Sequence, residues 1–563
     1  MGAYSDSQVP GCVGCAHGVC ELPESIQCCW SVAVLSRGGQ DSSKTLEIHE
    51  AHPAFDAAAG KDSRASIPGV RYSGFNGLIP SAFILPPPSL LFYLLLLSLS
   101  LAGVLSGATG VQQQLDTLTA AAQGRRIGLI TNPSGCDETG SLDVDYLLYT
   151  NGVTISAFFA PEHGLRGTLP PGGGSGDYID PQTGIWVYDV YSRPGPTDAQ
   201  LTNVDLLVFD LQEVGVRFYT YLWTMTYCLE AAARNGKPFY VIDRPNPIGA
   251  MRVEGAPNTV NYGVIGRLGV GAAFGVATRP GMTVGEVAWM WNSEWMSPQA
   301  ELHVIPVTGW HRGDWWIETG RVFVAPSPNM RTTNTATVYP GTCIFEGSNV
   351  SEGRGTDRPF EKIGAPFING TNFAQRLNTN GLAGVRFDPV TFTPTSSKFK
   401  GQLCGGVQVV VTNRDTFDPI RTGLCLLQTA YQMYPSQVTI TSYAADLMAV
   451  PGLNSSIKTQ SVDSIIAGWQ STLAQFRALR RQYLLYPETP PTILVNDGGF
   501  GFRTNRFGFN VAGFAGQPVV IEASINLLDW VALATNVLDS GPLHFSEPDS
   551  SNFAQRFYRA RLQ

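Results

Sequence analysis

The residues from Asn329 to Glu361 combine side chains that suit the binding of a polar, partly anionic ligand. The stretch holds three glutamates and three arginines, together with asparagines such as Asn329 and Asn349 and repeated glycines. Carboxylates, amides and guanidinium groups together suit a polyhydroxylated ligand that carries negative charge. It shows almost no apolar periodicity, which argues against a core-forming helix or strand. A solvated polar loop is the alternative interpretation. The six charged residues are Arg331, Glu346, Glu352, Arg354, Arg358 and Glu361.

Hydrolysis of a glycosidic bond needs two carboxyl groups of this kind. One, protonated, assists the leaving oxygen, and the other acts as a base for water or as a nucleophile. Glu162 stands beside His163 in a glycine-containing turn, where partial shielding from water would favour its protonated form and suit a general acid. A carboxylate at a helix N-terminus is the alternative for Glu162. The second group would come from Glu346 or Glu352, and the sequence leaves that choice open. The candidate catalytic residues are Glu162, Asp210, Glu346 and Glu352.

Amide and guanidinium side chains near these carboxylates are candidates for contacts with a substrate. Arg217 follows Asp210 and Gln212, and it is either an ion-pair organiser or a direct ligand contact. Asn246 lies in a turn stiffened by two prolines, where it either binds a hydroxyl or acetamido group or forms a structural Asx-turn. The predicted substrate-binding residues are Asn132, His163, Arg166, Gln212, Arg217, Tyr219, Asp243, Arg244, Asn246, Asn329, Asn349 and Arg354.

Composition and motifs exclude several other functions. The net charge of −8 leaves no basic stripe for nucleic acid. The first predicted strand leads into Asn132-Pro133-Ser134-Gly135, which is neither a phosphate loop nor a dinucleotide fingerprint, so no nucleotide cofactor is expected. The cysteines at 12, 15 and 20 resemble a metal knuckle, but they lack a second pair at a suitable distance. We therefore predict neither a metal nor an organic cofactor.

The N-terminal part of the chain has the features of a leader. Residues 1–88 lack sustained periodicity and are expected to be disordered, or translated upstream of the true start. The run from Leu90 to Leu105 is apolar and precedes small residues, so residues 89–108 are interpreted as a signal peptide. A membrane-spanning signal anchor is the alternative. In both cases the rest of the chain is exported, to the periplasm or the extracellular space, and it contacts a membrane only if residues 90–105 stay uncleaved.

Short β-rich runs alternate with helical patterns after Arg125, which predicts a parallel sheet with helices on both faces. The predicted strands of this sheet are 127–131, 153–159, 186–190, 205–209 and 239–242, and the predicted helices are 112–122, 142–149 and 219–235. After residue 256 the patterns predict strands at 304–307 and 407–411 and helices at 422–434 and 462–484. Ligands bind beyond the carboxyl ends of such strands, and the polar motifs around Asn132, Glu162, Asp210 and Asp243 each follow a predicted strand. We therefore predict an α/β architecture: a Rossmann-like parallel-sheet domain at 111–255 and a second mixed α/β domain at 256–486, with a cleft between them. Residues 487–563 are expected to form a linker and a small C-terminal β-sandwich.

Ordered motifs between residues 120 and 485 resemble the exo-β-N-acetylmuramidase family. Besides the polar stretch, they are GLITNPSG (128–135), FAPEHGLRG (159–167), VFDLQEVGVRFYTY (208–221), VIDRPNPIG (241–249), GMTVGE (281–286) and FTPTSSKFKGQLCGGVQ (392–408). The chain has Arg279-Pro280 where the family pattern has Arg-His before GMT, so any role of that histidine is absent or filled by another group.

The resemblance implies an exported glycoside hydrolase that acts on peptidoglycan-derived saccharides in cell-wall recycling or scavenging. It would remove terminal N-acetylmuramic acid from the non-reducing end, and Arg217, Arg244 or Arg354 would bind the lactyl carboxylate of that sugar as a bidentate fork. The alternatives are a non-catalytic binder of cell-wall sugars and a hydrolase of a different amino sugar. The sequence makes no prediction about oligomeric state.

Overall fold

The structure is a computed structural model that describes residues 31–36, 110–150, 152–259, 274–513, 518–539 and 541–562. The predicted signal segment at 89–108 and the cysteines at 12, 15 and 20 lie outside these residues. Strand β1 (Ser31–Ser36) falls within the leader, where the sequence predicted no ordered element. Within the ranges described, no helix combines the length and the apolar character needed to cross a membrane.

A seven-stranded sheet forms the first domain, with strand order β4-β5-β3-β2-β6-β7-β8. All neighbouring strands are parallel except β4 and β5. The chain places β3 and β5 on one side of β2, and β6, β7 and β8 on the other, as in a doubly wound fold. The elements are α1 (Val111–Ala122), β2 (Arg126–Thr131), α2 (Asp143–Tyr149), β3 (Thr154–Ala160), β4 (Tyr178–Ile179), β5 (Trp186–Asp189), β6 (Leu206–Asp210), α3 (Thr220–Arg234), β7 (Phe239–Ile242), α4 (Val284–Trp295) and β8 (Leu302–Ile305).

The first domain is larger than the sequence predicted. We expected a strand at 304–307 in the second domain and a boundary at residue 255, but β8 pairs in parallel with β7 and completes the first sheet. The predicted boundary is therefore wrong. A long segment, residues 243–283, separates β7 from the helix α4, so the spacing of a β-α-β unit is not visible in the sequence. The helix begins at a capping box formed by Thr283 and Glu286.

The second domain has a three-stranded antiparallel sheet, β10-β11-β9, covered by helices. Its hydrophobic core is continuous with one side of the first domain. The single helix predicted at 462–484 is two helices that separate at Gly468. The elements are α5 (Thr333–Thr342), β9 (Lys362–Ala365), α6 (Gly370–Asn378), β10 (Val385–Phe392), β11 (Cys404–Val411), α7 (Pro419–Met433), α8 (Ser442–Met448), α9 (Leu453–Ser456), α10 (Val462–Ala467) and α11 (Gln470–Arg480).

Helix α5 lies inside the polar stretch in which no core-forming helix was expected. Thr332 caps the start of the helix, and its side chain accepts a 3.1 Å hydrogen bond from the backbone N–H of Thr335. It packs through small residues: a Cβ atom on Gly341 would lie 1.7 Å from the carbonyl oxygen of Pro419 at the start of α7. Close backbone approach therefore replaces the apolar stripe that periodicity detects, which explains why the sequence pattern missed this helix.

The C-terminal region is a β-sandwich, as the sequence predicted. One sheet has the order β12-β14-β13 with β17 also paired to β14, and the other has the order β1-β18-β15-β16. Phe507, Phe509, Ile521 and Tyr558 belong to the buried core of this region. The strands are β12 (Thr492–Leu494), β13 (Gly501–Arg503), β14 (Arg506–Ala512), β15 (Pro518–Ser524), β16 (Val531–Val537), β17 (Leu543–Glu547) and β18 (Gln555–Leu562).

Candidate active site

A cleft of about 1010 Å³ opens between the first and second domains. The first domain contributes Glu162, which follows β3, together with residues 190–194, which follow β5, and the start of α3. The second domain contributes Glu346, Glu352 and Arg354 from the polar stretch, and Lys398 from the loop between β10 and β11. The cleft therefore lies beyond the carboxyl ends of the parallel strands, where α/β folds place their ligands.

Glu162 is held in the first-domain wall by hydrogen bonds in which its carboxylate accepts. The backbone N–H of Gly172 donates to Oε1 at 2.8 Å, and the hydroxyl of Thr220 donates to Oε2 at 2.7 Å. Burial and the nearby carboxylate of Glu162 raise the pKa of Tyr191 to about 12, so that phenol stays neutral on the same wall. The turn after Glu162 places His163 in the left-handed region with φ of 72°, which fixes the direction of the chain at the cleft.

Glu346 and Arg354 form the centre of the opposite wall. Glu346 lies in a 3₁₀ turn at the end of α5, and its Oε1 accepts a hydrogen bond from Nη2 of Arg354. The guanidinium carbon of Arg354 lies 4.9 Å from the ring centroid of Phe360, which supports its plane. Burial raises the pKa of the Glu346 carboxyl group above its ordinary value, although the guanidinium of Arg354 acts in the opposite direction.

Glu352 lies behind this pair and is almost fully enclosed, with 2% of its side chain exposed. Its Oε2 accepts a 2.8 Å hydrogen bond from Nζ of Lys398, and its Oε1 lies 3.4 Å from Nε of Arg354. Gly353 and Gly355, with φ of 77° and 79°, turn the backbone on either side of Arg354 and aim it at both carboxylates.

Asp210 and Arg244, two predicted site residues, lie outside the cleft. Asp210 is fully buried and accepts a 2.9 Å hydrogen bond from Nε of Arg244, whose Nη2 donates to Asp143 at 2.6 Å. Burial and the neighbouring Asp210 raise the pKa of Asp143 to about 8. These groups close the end of the sheet between β2 and β6 instead of opening it to a ligand.

Asn132, Gln212 and Asn246 also hold the scaffold together outside the cleft. The amide nitrogen of Asn132 donates to the hydroxyl of Tyr221 at 2.6 Å, and that of Gln212 donates to two backbone carbonyls. Asn246 bonds the backbone of Ile248 through its amide oxygen at 3.1 Å, which is the structural Asx-turn alternative. All three side chains are buried.

The charged candidates Arg217 and Asp243 are buried structural groups too. Arg217 donates from Nη2 to the carbonyl of Leu447 at 2.8 Å, and burial lowers its pKa to about 9. Asp243 accepts 2.7 Å hydrogen bonds from the hydroxyls of Thr283 and Tyr486. Strand ends carry both scaffold and site residues, so a position after a strand does not distinguish the two roles.

Tyr219, His163, Arg166 and Asn349 are the remaining candidates away from the cleft lining. The ring of Tyr219 packs edge-on against Tyr221 in the core, and a ring nitrogen of His163 bonds a backbone carbonyl at 2.7 Å. Arg166 forms a 2.8 Å ion pair with Asp180 of the same domain. The side chain of Asn349 donates to the carbonyl of Gln437 and accepts from the backbone N–H of Thr439. Of the predicted residues, the cleft is lined by Glu162, Asn329, Glu346, Glu352 and Arg354.

Sequence reasoning missed several cleft residues. Thr220 and Lys398 lie within quoted motifs, but neither was selected as a site residue. Tyr191 and Arg193 follow β5 directly, and that position after a predicted strand was the available signal. Tyr443 lies in the first turn of α8. No sequence pattern marks it as a site residue, because only the folded chain brings it to the cleft.

Five cysteines lie in the described part of the chain, and all of them are free thiols. No group of three His, Cys, Asp or Glu side chains there is placed to hold a metal ion. Cys136, Cys228, Cys343 and Cys404 are buried free thiols, and Cys425 is a half-buried free thiol.

A cleft with carboxyl groups on two walls, and with arginine, lysine and aromatic side chains beside them, has the composition of a saccharide-cleaving site. The fold and the site define the class of this protein as a glycosidase, with a Rossmann-like domain and a second α/β domain. Family models described as exo-beta-N-acetylmuramidase NamZ match the chain with their N-terminal part at residues 127–334 and their C-terminal part at 337–486. The chain belongs to this family.

Relatives of known sequence or structure agree with this assignment. The peptidoglycan beta-N-acetylmuramidase NamZ of Bacillus subtilis (strain 168) is 43% identical over 382 residues, which are 67% of this chain and 91% of that protein. Two crystal structures of DUF1343 family proteins from Bacteroides fragilis NCTC 9343 are similar. The first has a TM-score of 0.61 and 29% sequence identity, and the match covers 68% of this chain and 99% of that protein. The second has a TM-score of 0.52 and 26% sequence identity, and the match covers 66% of this chain and 97% of that protein.

Proposed function

We propose that this glycosidase releases terminal N-acetylmuramic acid from the non-reducing end of peptidoglycan fragments, with Glu162 and Glu346 as its two carboxyl groups. The observation that carries the proposal is that these two carboxyl groups line one cleft from two different domains. The 43% identity to the Bacillus subtilis enzyme, named for peptidoglycan β-N-acetylmuramidase activity, supports the reaction and the substrate.

The contacts favour Glu346 over Glu352 as the second carboxyl group. Glu352 is nearly enclosed, and both of its oxygens face cationic nitrogens. Glu346 has 20% of its side chain exposed, and its Oε2 accepts no hydrogen bond from any residue within the described ranges. An oxygen without a protein partner is available to a substrate.

The same contacts suggest how the two roles divide. Burial raises the pKa of Glu346, which suits the general acid that protonates the leaving oxygen. Glu162 accepts hydrogen bonds at both oxygens, which is the pattern of an ionised carboxylate and suits the base or nucleophile. This division is the reverse of the sequence expectation, which gave the acid role to Glu162.

Arg354 is the best-placed group for the lactyl carboxylate. Of the three arginines considered for this contact, Arg217 and Arg244 are buried outside the cleft lining. Arg354 lines the cleft, and its Nη1 donates to no residue in the described part of the chain. Because a guanidinium has five donor hydrogens, Arg354 can hold Glu346 and a substrate carboxylate together.

Export is a further part of the proposal, because peptidoglycan fragments occur outside the cytoplasm. The apolar run from Leu90 to Leu105, followed by small residues, supports it. Mass spectrometry of the N-terminus of protein recovered after expression of the full chain in a bacterium tests it. A start near residue 109 supports cleavage and export, whereas an intact leader on cytoplasmic protein contradicts them.

The activity is tested with protein that starts at residue 109 and para-nitrophenyl β-N-acetylmuramic acid. Glu162→Gln and Glu346→Gln should each reduce nitrophenol release by about 10²-fold or more, since each removes a reacting group. Glu352→Gln tests whether Glu352, instead of Glu346, is the second carboxyl group. If the parent binds N-acetylmuramic acid by calorimetry but releases no nitrophenol, the protein is a binder. Faster release from the glucosamine analogue would indicate a different amino sugar.

A further inference from the structure

Lys398 lies in the cleft wall with its ammonium group fully engaged. Nζ donates to the carboxylate of Glu352 at 2.8 Å and to the carbonyl oxygens of Phe345 and Val350 at 2.6 and 3.2 Å. An ammonium group has three donor hydrogens, and these acceptors use all of them. Lys398 is therefore placed to fix protein groups and has no donor left for a substrate.

The backbone of the loop that carries Lys398 is held in a conformation that keeps this side chain in position. Ser397 and Phe399, on either side of it, adopt left-handed backbone conformations with φ of 62° and 57°. Such conformations are strained for residues other than glycine, and they persist where surrounding contacts impose them. The contacts here include Thr395, whose backbone and hydroxyl both donate to the carbonyl of Gly355, at 3.0 and 2.8 Å. The loop is thus fastened to the turn that presents Arg354.

A chain of contacts leads from this lysine to the proposed general acid. Lys398 binds Oε2 of Glu352, Oε1 of Glu352 lies 3.4 Å from Nε of Arg354, and Arg354 donates to Glu346. We propose that Lys398 is a positioning residue that anchors Glu352 and, through Arg354, holds Glu346 in place and sets its proton affinity. This inference rests on the proposed function for the role of Glu346, but its electrostatic part does not depend on turnover.

The sign of the effect follows from the groups around Glu346. Burial raises the pKa of Glu346, and the positive charge of Arg354 lowers it. The negative charge of Glu352 raises it further, and the positive charge of Lys398 lowers it. Removing the charge of Lys398 should therefore raise the pKa of Glu346. The titratable and charged groups that face Glu346 are Tyr339, Cys343, Glu352, Arg354, Lys398 and Tyr443.

The test compares Lys398→Met and Lys398→Gln with Lys398→Arg. The first two remove the charge, and glutamine keeps donors for the carbonyls; arginine keeps the charge. Lys400→Met is the matched control, because it removes the same charge two residues away at an exposed position. Titration of ¹³C-carboxyl glutamate signals, with Glu346 assigned by Glu346→Gln, measures the pKa directly. The pH profile of kcat/KM on para-nitrophenyl β-N-acetylmuramic acid measures its consequence.

We expect the Glu346 signal and the basic limb of the profile to move to higher pH in Lys398→Met and Lys398→Gln. They should stay in place in Lys398→Arg and Lys400→Met. An unchanged Glu346 titration in both neutral variants overturns the proposal, as does an equal shift in Lys400→Met. A parent that does not turn over the substrate contradicts the proposed function, while the titration still decides the role of Lys398.

Discussion

Thr220, the first residue of the helix that follows β6, donates a 2.7 Å hydrogen bond to Glu162, which follows β3. The contact joins the ends of two strands that are not neighbours in the sheet, since β2 lies between them. It fixes one oxygen of Glu162 while the backbone of Gly172 fixes the other. The first-domain wall therefore presents Glu162 in a single orientation.

Thr220→Val should reduce kcat by about 10- to 100-fold, because a hydrogen bond to a charged group is worth about 1.5–3 kcal/mol. The measurement is nitrophenol release at saturating substrate. Thr220→Ser retains the hydroxyl and should recover most of the rate. Thr226→Ala serves as control, since its hydroxyl bonds the carbonyl of Trp223 within the same helix and does not face the cleft lining. Equal losses in Thr220→Val and Thr226→Ala would contradict a specific effect on Glu162.

Asp210→Asn should destabilise the protein by about 3–5 kcal/mol, since it leaves the buried guanidinium of Arg244 without its main charge partner. Unfolding in guanidinium chloride measures the loss. The matched control is Asp388→Asn, which breaks an exposed ion pair with Arg386 and should cost about 1 kcal/mol or less. Protein of Asp210→Asn that remains folded should turn over substrate at a rate near that of the parent. A large loss of kcat in folded, stable protein would instead support a catalytic role.

The sequence predicted the architecture well because the strands and helices of the first sheet follow short, local patterns of apolar residues. Phe239–Ile242 was predicted with the observed ends, and β2, β3, β5 and β6 were each found within one residue of them. β8 was assigned to the wrong domain, since its pairing with β7 depends on a contact across a long intervening segment. Helix α5 was missed because glycine contacts, which carry no periodicity, hold it in place.

The candidate site was harder to predict than the fold. Glu162 follows β3 and Asp210 is the last residue of β6, yet Glu162 faces the cleft and Asp210 is sealed by Arg244. Their environments differ because different side chains pack at the two strand ends, Thr220 on Glu162 and Arg244 on Asp210. Both partners are distant in the sequence from the carboxylates that they contact. The polar stretch was a better guide, since it supplied Asn329 and Arg354 as well as two of the three carboxylates in the cleft lining.

Stability should fall as the pH rises from about 4.5 to about 8, because three buried carboxyl groups resist ionisation. Burial raises the pKa of Asp243 to about 6, of Glu213 to about 7, and burial with Asp210 raises the pKa of Asp143 to about 8. A group with a raised folded pKa contributes fully below its unfolded pKa, and that contribution is lost as the pH passes the folded value. The unfolding free energy between pH 4.5 and 8.5 measures this trend.

Glu213→Gln tests the trend at a single group. The variant cannot ionise at this position, so its stability should decline less steeply than that of the parent between about pH 4.5 and 7. Its amide oxygen can still accept the backbone hydrogen bond of Gly215. Asp145→Asn is the control, since Asp145 is exposed and should leave the slope unchanged. Identical slopes for the parent and Glu213→Gln would mean that Glu213 does not titrate in this range.

The catalytic unit should end just beyond Glu488, which the sequence had placed in the linker. The hydroxyl of Tyr486 donates to Asp243 at 2.7 Å, its carbonyl accepts from Arg312 at 3.0 Å, and Glu488 forms a 2.5 Å ion pair with Arg480. A chain that ends at residue 490 should therefore keep its turnover of the small substrate, since none of the described cleft residues lies beyond Leu447.

A chain that ends at residue 484 should unfold at much lower denaturant, because Asp243 and Arg312 lose buried partners that are worth about 1–3 kcal/mol each. Thermal and guanidinium unfolding of the two truncated proteins measures the difference, and Tyr486→Phe isolates the hydroxyl from the rest of the segment. Equal stability of the two would place the end of the folded unit before Tyr486. Loss of turnover in the longer chain, with its stability intact, would instead give the β-sandwich a direct part in the reaction.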